Sequence, residues 1–317
     1  MASVPVLSKS EATQKMMALT HDNQKNYLAM YSSWLGGIVK SPAFMWVPID
    51  DHLVHRGDGV FEAFKVLNGN YFLLKEHLDR LERSSKAIQM ELPMDRNSLV
   101  DVIKQVYAAA GPKDVLFRLY VSRGPGGFST NPYECVASQI YIVATRYQPV
   151  VTEKYEKGVR VGRSDVPIKD GWMAKVKSCN YLPNVMMKKE AVDKGFDFTV
   201  SFTQEGLLGE GSTENIALVS EDDELLFPSF DHTLQGTTLK RLELLAAELV
   251  KSGELVAVRE ASISMQDIEN AKEMMLIGTT LDVLPVVEFA GKAVGAGVVG
   301  PVARRCLDLL RKNIASS

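Results

Sequence analysis

The stretch GVFEAFKVLNGNYFLL, residues 59–74, restricts the fold more than any other segment. Two runs rich in aromatic and β-branched residues flank Asn68-Gly69, a pair whose tolerance of left-handed backbone closes a two-residue turn, so the segment predicts an antiparallel hairpin. Leu74, Leu78, Leu81 and Ile88 follow at helical spacing and predict a helix over Lys75–Met90. Strands that turn back on themselves before a helix point to a mixed fold with antiparallel sheet.

The rest of the chain extends this pattern. LAMYSSWLGGIV and AFMWVPIDD read as strands broken by Gly and Pro, Ser98–Ala110 as a helix closed by Gly111-Pro112, and VLFRLYVSR and SQIYIVATRY as two further strands. TRYQPVVTEKYEKG is polar and aperiodic and reads as a linker. Beyond it come strand GVRVGRSD, a strand-like run carrying Lys175 and Lys177, and a helix over Pro183–Lys194 opened by proline and stopped by Gly195. Hairpins FDFTVSFT and NIALVSEDDELLF follow, then a helix over Thr237–Lys251, strand LVAVRE, short helix MQDIENA, strand EMMLIGTT and a last helix near Val302–Lys312. Strands outnumber helices and are mostly hairpin-linked, with no regular βαβ alternation. That predicts two α+β domains, not a doubly wound sheet. The expected organisation is an N-terminal arm (1–26), a small domain (27–147), a linker (148–156) and a larger domain (157–317), and 317 residues suit two cores.

Charge narrows the function classes. Lys plus Arg total 36 against 39 Asp plus Glu, a net charge of -3 with no basic stripe, so nucleic acid is not an expected partner. The three cysteines, Cys135, Cys179 and Cys306, are widely spaced, which excludes a cysteine metal site and a disulfide scaffold and fits a reducing compartment. No run of eighteen apolar residues occurs, so no membrane partner is expected. The first twenty-odd residues are polar, without a signal-type apolar core, and read equally as a helical arm, a disordered lead or a transit remnant. The expected location is cytoplasmic, with an organelle left open.

Five segments concentrate chemistry. Lys175 and Lys177 sit in an apolar run, where a lysine is either an edge charge or a reactive amine. Glu210 stands between two glycines in LLGEGSTENIALV, ahead of Ser212, Thr213 and Asn215. LQGTTLKR places Gly236, Thr237 and Thr238 at a helix start, where free N–H groups and hydroxyls suit either a phosphate or an ordinary N-cap. LIGTTLDVLPV ends a strand in Gly278, Thr279 and Thr280. Arg80 lies in KEHLDRLERS, off the leucine stripe. Together these supply an amine, a carboxylate for a pyridine nitrogen and a phosphate seat, the parts that hold pyridoxal phosphate through a Schiff base.

Taken in order, HRGDGVFEAFKV, KEHLDRLERSSKAI, SRGPGG, KSCNYLPNVMMKKEA, GEGSTENI, LQGTTLKR and IGTTLDVLPV resemble the class IV (fold type IV) pyridoxal-phosphate aminotransferases, from roughly Leu28 to Leu310. The branch that is most similar holds the D-amino acid and branched-chain aminotransferase-like members. The resemblance implies a two-domain α+β enzyme with pyridoxal 5'-phosphate at the domain cleft, exchanging an amino group between an amino acid and a 2-oxo acid. It makes Lys177 the catalytic Schiff-base lysine, with Lys175 a structural neighbour, and Glu210 the partner of the pyridine nitrogen. Arg80, Thr238 and Thr279, with the amides of Thr237 and Thr280, are implied phosphate ligands. Tyr181 is implied near the cofactor's phenolic oxygen, with Ser212, Thr213, Asn215, Leu234, Gly236 and Gly278 completing the cofactor contacts. No metal is implied.

For the substrate the resemblance implies Phe61, Arg118 and Thr280. Arg56 stands just ahead of the Gly59 strand, where the branched-chain enzymes carry a pocket-lining aromatic. It reads either as a surface turn arginine paired with Asp58 or as a ligand for a substrate carboxylate. The Arg-x-His carboxylate trap of the bacterial D-amino acid enzymes is missing from SRGPGGFSTNP, which makes Arg56 the expected replacement and favours D-amino acids. Branched-chain L-amino acid transamination, aminodeoxychorismate lyase activity and cofactor binding without turnover are the alternatives. A homodimer is also implied, with the AFMWVP segment as an interface strand.

Overall fold

The computed structural model describes residues 4–316. The Asn68-Gly69 turn forms with both residues at positive φ, 51° and 87°, and joins strands Gly59–Leu67 and Asn70–Tyr71. These belong to a six-stranded antiparallel sheet ordered Gly37–Val39, Tyr27–Ser32, Gln139–Arg146, Val115–Ser122, Gly59–Leu67, Asn70–Tyr71. Strand alternation gives the sheet two different faces. Val60, Phe64, Phe117, Leu119, Ile140 and Ile142 pack against Leu78, Leu81, Leu99 and Ile103 of helices Leu74–Ala87 and Arg96–Ala110. Phe61, Ala63, Leu116, Arg118 and Tyr120 point the other way, into a cavity.

The second sheet has nine strands. Its path runs Ala257–Ala261, Glu224–Pro228, Asn215–Val219, Glu273–Gly278, Asp282–Phe289, Val159–Arg163, Phe198–Phe202, Leu208–Gly211, with Lys292–Ala293 paired to Asp282–Phe289. One face carries helices Thr237–Lys251 and Pro301–Ala315 over Ala217, Phe227, Met275 and Val283. The opposite face buries Val161, Val200, Leu218 and Leu276.

Four sequence expectations need correction. Three strand pairs in the larger sheet are parallel: Asp282–Phe289 with Val159–Arg163, Val159–Arg163 with Phe198–Phe202, and Glu224–Pro228 with Ala257–Ala261. Helices Leu182–Asp193 and Thr237–Lys251 make the crossovers that parallel neighbours require, so βαβ units sit inside a mixed sheet. AFMWVPIDD is not a strand: Pro42–Phe44 is a 3-10 turn with Pro48 soon after it, and both prolines lack the N–H a ladder needs. The 148–156 segment contains most of a short helix, Thr152–Lys157. Of the 1–26 arm, residues 1–3 lie outside the described residues; Lys9–Ala18 is a helix held by a Ser8/Glu11 capping box, with no buried residue. Among the described residues no helix is long and apolar enough to cross a membrane.

The expected lysine strand is the fourth correction. Gly171–Lys175 coils into a 3-10 turn, started by Gly171 at φ +60° under the Asp170 carboxylate. Only the residues after it extend. Phe61 N–H donates to Lys177 O, and Cys179 N–H donates to Gly59 O, both at 2.9 Å. This graft onto the edge of the smaller sheet sets Lys177 between the two sheets, whereas Lys175 stays exposed and pairs with Asp231 at 3.2 Å.

Candidate active site

A cavity of about 560 Å³ lies where the faces of the two sheets meet, within the ordinary range for a small-molecule site. Lys177 Nζ stands 4.5 Å from the centre of the Phe61 ring and 3.5 Å from Tyr181 Oη. Phe61 and Tyr181 meet edge to face at 4.9 Å, so two aromatic walls hold the amine. Burial, and then the Arg80 charge, lower the Lys177 pKa from 10.5 to about 8, with the Glu62 and Glu210 carboxylates opposing. A fraction of this amine is therefore unprotonated at neutral pH, which is what a nucleophile needs.

Glu210 faces the same cavity from strand Leu208–Gly211. Burial raises its carboxyl to about 6, against the Leu234 N–H bond and the Lys169 and Lys177 charges. That bond, 3.0 Å to Oε2, is itself set by Asn215, whose Nδ2 donates to Leu234 O at 2.9 Å. Asn215 also lies against Gly236, where any Cβ would come within 1.9 Å of Asn215 Oδ1. Glycine there lets the chain turn tightly into helix Thr237–Lys251.

The helix start has the character of an anion seat. Gly236 caps it without a side chain, so the first-turn N–H groups are free. Thr238 Oγ1 is buried with no partner, and such a hydroxyl is costly unless something it can bond to occupies the space. Arg80, 5% exposed, uses Nε and Nη2 on Glu62 at 2.6 and 2.8 Å and Nη1 on Gln235 O at 3.1 Å. A guanidinium has five N–H groups, so two remain for a ligand. Thr279 and Thr280 close the seat from the end of strand Glu273–Gly278. Amides, an orphan hydroxyl and an arginine fit a phosphate monoester, and Lys177 with Glu210 fits the two ends of a pyridoxal ring.

All the implied cofactor residues line this cavity: Arg80, Lys177, Tyr181, Glu210, Ser212, Thr213, Asn215, Leu234, Gly236, Thr237, Thr238, Gly278, Thr279 and Thr280. Arg80 belongs to the buried stripe with His77, Leu81 and Ser84, contrary to the expectation that it falls off it. Phe61 and Arg118 line it as well, and Arg118 donates to Thr145 Oγ1 at 3.2 Å. A second chamber of about 720 Å³ shares Leu53, Leu116, Arg118, Tyr120 and Thr280 with the first. Arg56 is the exception. It is exposed, outside the cavity lining, and donates to the carbonyls of His55 and Phe128; the nearby Asp58 pairs with Arg123 instead. Residues the sequence reading overlooks are Glu62 and His77 behind the seat, and Glu214, Lys169 and Asn184 in the lining.

Lys177, Glu210 and a helix start suited to a phosphate line one cavity between the two sheets, the arrangement expected of a class IV aminotransferase. The amino-transferase class IV family model matches residues 59–289, and the chain belongs to that pyridoxal-phosphate-dependent family. It is 38% identical over 315 residues to the chloroplastic D-amino-acid transaminase of Arabidopsis thaliana, covering 99% of this chain and 83% of that one. It is 30% identical over 259 residues to a putative branched-chain-amino-acid aminotransferase of Methanocaldococcus jannaschii, covering 82% and 88%. The branched-chain aminotransferase of the thermophilic archaeon Thermoproteus uzoniensis, solved with norvaline, shares the fold with a TM-score of 0.81 at 24% identity, over 92% of this chain and 95% of that one.

Proposed function

We propose that the chain holds pyridoxal 5'-phosphate in this cavity and transfers amino groups between D-amino acids and 2-oxo acids. The observation that carries the cofactor reading is the placement of Lys177, Glu210 and the Thr238 seat in one enclosed space. When bound, the cofactor supplies an aldehyde that condenses with amines and a ring that accepts the electron pair left on the substrate α-carbon.

This chain's residues do the rest. With the cofactor held, Lys177 as a free-base amine would be the group that attaches it. When substrate takes its place, Nζ would carry the proton from the substrate α-carbon to the cofactor's former aldehyde carbon. Tyr181 Oη holds the amine on line from 3.5 Å. Glu210 keeps a proton on the pyridine nitrogen, and its link through Leu234 to Asn215 fixes the carboxylate. A preoriented charge of this kind acts on the transition state without reorganising. Arg80, Thr238 and the helix amides anchor the phosphate, and Phe61 limits water at the amine.

Arg118, at the boundary of the two chambers, is positioned to take a substrate carboxylate. The D-preference draws on the 38% identity to a D-amino-acid transaminase. The branched-chain L-reading draws on the archaeal relative and on the apolar Leu53 and Leu116 in both chambers. Incubation with single D- or L-amino acids and 2-oxoglutarate or pyruvate, followed by chiral product analysis, separates them. Turnover of L-leucine or L-valine without D-alanine or D-aspartate would reject the D-reading. We place the chain in a reducing compartment, cytoplasmic or organellar, and as a homodimer, since Trp34, Leu35, Trp46 and Ile49 of the smaller domain are exposed.

A further inference from the structure

Behind the seat, buried polar groups form a line. Glu62 has no exposed surface; it accepts both Arg80 bonds and meets His77 Nδ1 at 2.7 Å. Burial pushes its pKa up, but Arg80 and His77 overcome this and hold it well below the usual carboxylate range. A carboxylate only accepts, so the His77 proton sits on Nδ1. Burial pushes the His77 pKa down against the Glu62 attraction, and Arg80 and Lys177 push the same way, which leaves Nε2 a bare lone pair. That nitrogen is 3.2 Å from Thr237 Oγ1. A lone pair can only accept, so the Thr237 hydroxyl donates backwards, to His77.

The neighbouring hydroxyl is in the opposite situation. Thr238 is 3% exposed, and its buried Oγ1 has no partner. Two consecutive threonines at one helix start thus present opposite polarity: Thr237 turns an oxygen lone pair towards the seat, and Thr238 has a hydrogen to give. A phosphate dianion has acceptors only.

We propose that Glu62 and His77 are positioning residues that turn the Thr237 hydroxyl away from the cavity, so that a phosphate takes its hydroxyl hydrogen bond from Thr238 and only a backbone amide from Thr237. This rests on reading the cavity as the seat of a phosphate-bearing cofactor. The pair also orients Arg80, whose Nε and Nη2 would otherwise be free to swing towards the ligand.

The test is a set of dissociation constants for pyridoxal 5'-phosphate and for unphosphorylated pyridoxal, titrated by absorbance into the full chain stripped of cofactor. Loss of a charge-assisted bond predicts that Thr238→Val weakens pyridoxal phosphate about tenfold or more beyond Thr237→Val, with pyridoxal bound alike by both. His77→Phe removes the acceptor and frees the Thr237 hydroxyl to rotate, so adding Thr237→Val there should cost at least about fivefold more than it does in the parent. Equal losses from the two valines in the parent, or a Thr237→Val cost indifferent to His77, would overturn the assignment. If His77→Phe does not fold, the two valines in the parent still decide, with Thr→Ser at each position controlling for packing. A parent that binds pyridoxal as tightly as its phosphate ester would instead sink the phosphate-seat reading itself.

Discussion

Lys177→Met should stabilise the cofactor-free protein, because the fold holds this lysine where its charge is poorly solvated. The fall from 10.5 to about 8, at about 1.36 kcal/mol per pH unit, amounts to about 3 kcal/mol of penalty at neutral pH. Access to cavity water and loss of the Tyr181 contact reduce the expected net gain to about 1–3 kcal/mol. The sign follows from proton counts. Between about 8 and 10.5 the unfolded chain keeps a proton that the folded chain has released, so stability from this group rises with pH across that window. Below about 8 both states are protonated and the whole penalty is present. Urea melts of parent and variant at pH 7 and pH 10 read this directly: the gap in favour of methionine should be largest at pH 7 and shrink towards pH 10. A destabilised variant, or a gap that does not change with pH, would refute the claim that burial and Arg80 depress this amine.

Other consequences are open to simpler assays. Glu210→Gln should retain the cofactor's visible absorbance while lowering kcat by about 10²–10³, the range for removing one preorganised electrostatic partner; single-turnover kinetics would measure it. Gly236→Ala should weaken pyridoxal phosphate binding through the 1.9 Å clash with Asn215, checked by equilibrium titration, and Asn215→Ala in the same chain should recover part of the loss. Arg80→Met should both weaken the phosphate and destabilise the fold by about 3–5 kcal/mol, since it strands the buried Glu62 carboxylate; Glu62→Gln added to it should return stability but not affinity in calorimetry. Arg56→Ala should leave KM for the amino donor within about twofold, because Arg56 lies outside the cavity; a tenfold rise would return it to a site completed by a second chain.

Sequence and structure agree best where a residue's role depends on its immediate neighbours. Asn68-Gly69 encodes its own turn, and Gly236-Thr237-Thr238 its own helix start. Lys177 and Glu210 are linked in sequence by their chemistry and by the family resemblance, not by any local pattern, since none says that residues 33 apart in the chain line one cavity. Strand direction was hidden for a related reason: hydrophobic alternation reports faces and not partners, so the three parallel pairs left no mark. A signal for Glu62 and His77 was present. Val60, Phe64 and Val66 share one strand face, and Glu62 sits among them, so a charge was bound to be buried and to need partners. His77 and Arg80, one turn apart on the facing helix, were the available ones. Arg56 misled because its place in the motif specifies backbone position only; its side chain turns to the 125–137 loop and bonds to Phe128 O.

The central claim, that Lys177 is the amine carrying the cofactor, has one direct test. The chain is loaded with pyridoxal 5'-phosphate, reduced with borohydride, digested and mapped by fragmentation mass spectrometry, which tells Lys175 from Lys177 within one peptide. The account predicts a phosphopyridoxyl group on Lys177 and its loss when excess amino acid is added before reduction. A label on Lys175, or on Lys169, the other lysine of the cavity wall, would contradict it.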